Sequence, residues 1–333
     1  MALAKVGKVT LGPVEMRDQI FFLLPLAGME EVEGVPVAGV VGFELLQRFV
    51  VAIDYAARRL TITLPERFDP RDAGTAVPFV FADHMPAVEG SVDGIAGRFT
   101  IDTGSRGALA LHQPFVESHD LVTRYRPPIE AVTGYGVGGA VRAKVTQAGE
   151  LRLGPFAVHG PITELVLSEK GALADRYLAG NVGGGVLRRF RVTFDYRHEQ
   201  LYLAPYGDAV DEDPFDRAGL WLVPRGGALV VEDVIPGGPA AAAGILPGDR
   251  VVGVGALPEK GTPPPDANLQ SLENLRTRLR EDPPGTHVTL RVRGGPGEKA
   301  PVRAVSFELF ALAAQPPTPM PTGQLTPVPP SPQ

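Results

Sequence analysis

The chain has 333 residues, 44% hydrophobic and 21% charged, with a formal net charge of −6, enough apolar material to fill more than one core. Its 40 Gly and 34 Pro disfavour a helical bundle and suit short strands joined by tight turns, so a mainly β fold is expected. The absence of Cys excludes disulfides, thiolate zinc sites, iron–sulfur clusters and cysteine nucleophiles, and the acidic balance without a concentrated basic tract argues against nucleic acid as the main partner.

At the N-terminus, Met1-Ala2-Leu3-Ala4-Lys5 leads straight into a strand-like Val/Thr pattern, with no apolar core followed by a cleavage site. The longest apolar stretch, residues 20–29, is too short to span a bilayer. Next comes a Gly-bounded apolar segment, Ala38-Gly39-Val40-Val41-Gly42, then a short helical turn and two strands at about 50–55 and 60–64. This unit returns later in the chain. Ala38-Gly39 recurs as Ala179-Gly180, Gly42 as Gly183, Arg48-Phe49 as Arg189-Phe190, and Asp54-Tyr55 as Asp195-Tyr196. Leu11-Gly12-Pro13 recurs as Leu153-Gly154-Pro155, displaced by one further residue. Residues 1–70 are therefore read as the back half of a first repeat and 71–208 as a complete second repeat. The repeat alignment predicts that about 67 positions of the first copy fall upstream of Met1, so the chain is expected to be N-terminally truncated.

Inside the second copy, the apolar run Phe99-Thr100-Ile101 meets Asp102-Thr103-Gly104-Ser105. A carboxylate at the end of a buried strand, in a tight glycine turn, suits a general base. The same residues also suit an Asx turn in which Asp102 bonds its own backbone. About thirty residues later comes a glycine-rich hairpin candidate with Gly134, Tyr135, Gly136 and Gly138. Asn181 stands where the first copy has Val40; it could line a cleft, but a turn role is the expectation. Other chemistries fit poorly. The six His show no zinc-ligand spacing, Ser105 is not in a nucleophile elbow, and Gly294-Gly295-Pro296-Gly297 reads as a hairpin turn rather than a phosphate loop.

From about residue 209 to 310 a third unit follows, with a strand at 228–235, an amphipathic helix at 271–280 and a strand at 287–292. Residues 311–333 are dominated by Pro and Thr and are read as a disordered tail.

Asp102-Thr103-Gly104-Ser105, the glycine hairpin and the later Asn181-Val182-Gly183, in that order, resemble the retropepsin-like fold of aspartic proteases. Together with the third unit, the chain resembles the bacterial aspartyl protease family that carries a C-terminal PDZ domain. The resemblance implies tandem retropepsin-like β-barrel repeats, the first incomplete, followed by a PDZ domain. It implies that Asp102 is a catalytic aspartate, that Ser105 bonds its outer oxygen, that Thr103 ties the active-site loops together, and that residues 133–139 form the flap. In the PDZ unit it implies a carboxylate loop at Gly219, Leu220, Trp221 and Leu222, although Trp221 replaces a small residue and Pro224 lacks an N–H. The implied activity is endopeptidase cleavage of peptide or protein substrates by water activated between two aspartates, with no metal or cofactor. This chain supplies one of the two. A C-terminal peptide is the implied PDZ ligand, and a periplasmic or secreted location is expected for the full-length member. The competing expectation is a non-catalytic PDZ/peptide-binding protein on a retropepsin-like scaffold. Self-association that brings two copies of Asp102 together is a third.

Overall fold

The computed structural model describes residues 2–12, 14–23, 37–136, 139–207, 213, 215–225, 228–257, 269–295 and 300–312. The tail expected to be disordered lies, from residue 313 onward, outside the described residues. The chain divides into two compact units, Met1–Val40 and Val41–Gln333.

The first unit is an antiparallel hairpin of β1 (Ala2–Leu11) and β2 (Val14–Leu23), with Leu3 opposite Phe22 and Val9 opposite Met16. Its period-2 alternation brings those apolar residues to one face. Leu3, Ile20 and Phe22 on that face are each more than 60% exposed.

The second unit opens with helix α1 (Phe43–Leu46), then β3 (Val50–Asp54), β4 (Arg59–Thr63), β5 (Thr75–Pro78), β6 (Val80–Ala82), β7 (Met85–Val92), β8 (Ile95–Ile101) and β9 (Leu109–Leu111). Helices α2 (Gln113–Ser118) and α3 (Leu121–Tyr125) lead to β10 (Ile129–Gly136), β11 (Gly139–Gln147), β12 (Glu150–Leu153), β13 (Phe156–His159), β14 (Ile162–Val166) and β15 (Gly180–Val182). After α4 (Gly184–Leu187) come β16 (Phe190–Asp195) and β17 (Gln200–Pro205). The central sheet has the order β10-β11-β14-β9-β15-β8-β7-β12-β13, with β6 paired to β7. Its short strand β15 runs parallel to β8 and antiparallel to β9, while β9 runs parallel to β14. The expected closed barrel is not formed among the described residues. The hydrogen-bonded path ends at β10 on one side and β13 on the other, and these two do not pair.

A second sheet, β4-β3-β16-β17-β5, joins the two sequence repeats. Ala52 pairs with Thr193, Val51 with Phe194 and Ile53 with Val192. Since the repeat equates Ala52 with Thr193, equivalent residues face each other across the β3–β16 junction, and the junction has local two-fold symmetry. Residues 51–54 of the first copy thus pair directly with residues 191–194 of the second, across the boundary expected near residue 70. Leu45 in α1 is buried. Backbone conformation repeats too: Gly12 and Gly154 have φ of 57° and 56°, Asp18 and Gly160 54° and 62°, Arg58 and Glu199 51° and 52°. These turn positions are left-handed in both copies even where the residue type differs.

The C-terminal part is a five-stranded antiparallel sheet in chain order, β18 (Leu220–Arg225), β19 (Ala228–Val234), β20 (Arg250–Val254), β21 (His287–Arg293) and β22 (Val302–Glu308). Helix α5 (Pro239–Ala242) and helix α6 (Leu269–Glu281) accompany it, α6 beginning two residues before the expected start. Leu220, Leu222, Leu275, Leu279, Leu290 and Phe307 belong to its core, which is separate from the larger core of Phe99, Leu109, Leu165, Leu187 and Phe194. A small third cluster, Ile129, Ala131 and Val145 with Ile235, bridges the two.

Candidate active site

Strand β8 ends at Ile101, which is buried, and the chain turns at Asp102 into a loop where Thr103 and Gly104 are exposed. The Asp102 N–H donates to the Val182 carbonyl (2.9 Å), which extends the β8–β15 pairing by one residue and fixes where the side chain starts. Asp102 Oδ1 accepts the Gly104 N–H (2.8 Å). The Asx-turn geometry anticipated from sequence is therefore present, and it holds the carboxylate in place rather than hiding it. The outer oxygen, Oδ2, accepts from the Asn181 Nδ2 amide (3.2 Å), the position where a hydrogen bond from Ser105 was expected. Asn181 lies within β15, not in a turn; it is the register partner of Thr100 on β8, so the two side chains share a face of the sheet and Thr100 Oγ1 donates to Asn181 Oδ1 (2.8 Å).

The far side of the loop is closed by glycines. Gly183, Gly184 and Gly185 donate their N–H groups to the carbonyls of Ala108 (3.0 Å), Ser105 (2.7 Å) and Gly107 (3.0 Å). A Cβ on Gly183 would lie 2.5 Å from the Gly107 carbonyl oxygen, so the backbones can approach only because the side chain is absent. Tyr55, from the turn after β3, contributes a buried hydroxyl without a hydrogen-bond partner among the described residues. Burial, with smaller contributions from Tyr206 and Asp102, pushes that hydroxyl up to about 12, so it stays neutral. Tyr55 had no distinguishing signal in the sequence beyond its place in the repeat.

The hairpin β10–β11 carries Gly134, Tyr135 and Gly136, whereas Gly138 lies outside the described residues. Its described residues make contacts with the C-terminal sheet. Tyr135 packs on Trp221 with ring centroids 5.8 Å apart and planes at 30°, and its hydroxyl donates to Glu232 Oε1 (3.4 Å). The Val132 N–H (3.2 Å) and Arg142 Nη1 (3.1 Å) both donate to Asp233 Oδ2. Trp221→Ala removes the aromatic partner, and amide exchange across residues 129–136 is expected to speed up about fivefold or more, from the loss of about 1 kcal/mol of ring contact. Unchanged exchange would show that the hairpin is held by its own sheet alone.

Gly219 (φ 74°) and Leu220 enter β18, the edge strand of its sheet. At the start of the loop the Ala218 and Leu220 N–H groups both donate to Asp216 Oδ1 at 3.0 Å. Burial pushes the Asp216 carboxyl up to about 6 against the pull of these bonds and of Arg280. At the free side of β18, the Arg276 guanidinium donates to the Leu222 carbonyl. On β14, Glu164 stands beside Gly107, where a Cβ would lie 2.8 Å from Glu164 Oε1. Burial pushes Glu164 up to about 7, opposed by Thr133 and by the charge of Arg280. Arg280 of α6 also feels Arg106, the residue after Ser105. A charge cluster thus links the Asp102 loop to the C-terminal sheet. No group of three or more His, Asp or Glu that could hold a metal ion occurs among the described residues, and no helix there is long and apolar enough to cross a membrane.

No protein-family model and no curated protein matches the chain. Among solved structures it has a weak likeness to the PDZ domain of carboxy-terminal protease from Vibrio cholerae in complex with peptide, at 26% identity and a TM-score of 0.23, over 28% of this chain and 91% of that one. It has another to a retropepsin-like aspartic protease from Rickettsia conorii, at 15% identity and a TM-score of 0.28, over 39% of this chain and 91% of that one.

Proposed function

We propose that this chain is an aspartic-type endopeptidase component in which Asp102 activates water against the peptide bond, with residues 133–139 as flap, residues 71–208 as the Asp102-bearing lobe and residues 209–310 as a PDZ-like unit. The observation that carries the reading is the setting of Asp102. Its carboxylate is anchored through both oxygens at an exposed loop, on a lobe joined to its own repeat about a local two-fold. Such chemistry needs a second carboxylic acid to donate a proton to the substrate carbonyl while Asp102 accepts one from water. The sequence holds one Asp-Thr-Gly, so the second acid is assigned to a loop related to this one by the two-fold, whichever chain carries it.

Incubating the full chain with an unfolded protein substrate tests this. With a second copy supplying the second acid, cleavage that rises more than linearly with chain concentration is expected in the parent, and less than about a hundredth of it in Asp102→Asn, which keeps the shape but cannot accept the proton. An inactive parent, or an active Asp102→Asn variant with an unchanged melt, would overturn the reading. A second reading, docking of an extended peptide without cleavage, is favoured by the edge position of β18 alongside α6.

A further inference from the structure

We infer that the free edge of β18 takes an internal, extended segment bearing an acidic side chain, and that Arg276 of α6 reads that acid. The inference rests on the docking reading given second above, adds to it the chemistry of the peptide, and does not depend on cleavage.

Strand β18 ends its sheet, with β19 on one side and α6 beside its other edge. Backbone groups of a paired strand point alternately toward the partner and away from it. The Leu222 carbonyl points away from β19, since it accepts from the Arg276 guanidinium, and alternation sets Pro224 on the same edge. Pro224 has no N–H to give. Of these two positions only Leu222 can exchange a full pair of hydrogen bonds with an added strand, and Arg276 already holds one of them. A segment that adds there must take the guanidinium off the carbonyl. Arg276 is half-buried, so leaving it without an acceptor is costly; a carboxylate on the incoming segment supplies the replacement with two oxygens. Elsewhere on α6, Arg278 is paired with Asp282 (3.1 Å), while Arg280, one turn beyond Arg276, adds a second positive charge that Asp216, Glu281 and Glu164 partly offset.

A chain end is the poorer occupant. Capture of a terminal carboxylate needs a nest of free N–H groups, but Ala218 and Leu220 at the mouth of β18 both donate to Asp216 Oδ1 (3.0 Å each), and the Gly219 N–H acts on the same carboxyl. An internal carboxylate holds the place of an external one. A second copy pairing edge to edge would set two Arg276 and two Pro224 against each other. Residues 313–333 of the chain contain no Asp or Glu, so they lack the group that Arg276 would read.

The probes are short peptides of alternating Thr and Val, labelled with a fluorophore at the N-terminus and amidated at the C-terminus, with Glu or Gln at the centre. A third has the central Gln and a free C-terminal carboxylate. Anisotropy titrations use the full chain with Asp102→Asn, so that no probe is consumed. The Glu peptide is expected to bind about tenfold more tightly than the Gln peptide at low salt, the scale of one charge-assisted contact. The free chain end should bind no better than its amidated counterpart. Arg276→Met, which keeps much of the side-chain length and removes the charge, should bring the Glu and Gln peptides to the same affinity. Equal affinities for Glu and Gln with Arg276 in place overturn the inference, and so does tighter binding of the free chain end. That comparison needs no change in α6, so it decides even if Arg276→Met does not fold. Failure of all three probes to bind at millimolar concentration overturns the docking reading together with the inference, whereas loss of the acid preference alone leaves docking standing.

Discussion

Gly183→Ala is expected to cost about 3 kcal/mol of unfolding free energy, from a single added methyl group. That methyl would sit 2.5 Å from the Gly107 carbonyl oxygen, 2.8 Å from Ser105 Oγ and 2.9 Å from Ser105 Cβ. Ser105 Oγ can rotate away, but the Gly107 carbonyl oxygen and Ser105 Cβ cannot. The loop cannot retreat, because the hydrogen bonds from Gly183, Gly184 and Gly185 tie it to the start of α4. Relief has to come from separating the Asp102 loop from β15 and α4, so the same change should misplace Asp102 relative to Asn181. Gly134→Ala is the internal control. A Cβ there meets nothing within 4 Å, and its effect should stay within about 0.5 kcal/mol. Urea titrations of the two variants decide the matter. Equal midpoints would mean that the loop is not locked onto α4.

The repeat was readable in the sequence because its determinants are local. Leu-Gly-Pro turns, the left-handed positions at Arg58 and Glu199, and the alternating strands that follow each impose the same backbone wherever they occur. Asp102 was readable for a similar reason, since an apolar strand running into Asp-Thr-Gly both ends the strand and exposes a carboxylate. Asn181 was misread as a turn residue. Propensity favours that role, but β15 is inserted between β8 and β9 and held by backbone pairing on both sides, and tertiary pairing overrides the local preference. Sheet closure was also beyond the sequence, because whether β10 and β13 meet depends on strand order, which no local pattern encodes. Glu164, Asp216 and Arg280 looked like ordinary charged residues. They stand far apart in the chain, and only the packing of α6 and the loop before β18 against β14 makes them neighbours.

That packing predicts an unusual pH dependence. Glu164 ordinarily ionises near 4.5, and burial in the folded protein raises this to about 7. Between those values the folded chain holds a proton that the unfolded chain has released, so raising the pH favours unfolding. The stability contributed by the neutral side chain is full below pH 4.5, falls across the window and levels off above about pH 7, when both states are ionised. The whole loss amounts to about 3 kcal/mol. Arg280 opposes the change but does not cancel it, because its own burial and the nearby Arg106 work against its charge. Glu164→Gln keeps the shape of the protonated side chain and cannot ionise. It should match the parent near pH 4.5 and exceed it by up to about 3 kcal/mol at pH 8, as read from urea midpoints at the two pH values. Asp216, raised from 3.8 to about 6 by burial, keeps a smaller decline in the variant below pH 6. If parent and Glu164→Gln lose stability in parallel from pH 5 to pH 8, Glu164 is solvated in the folded protein and the link between the Asp102 loop and α6 is not a buried one.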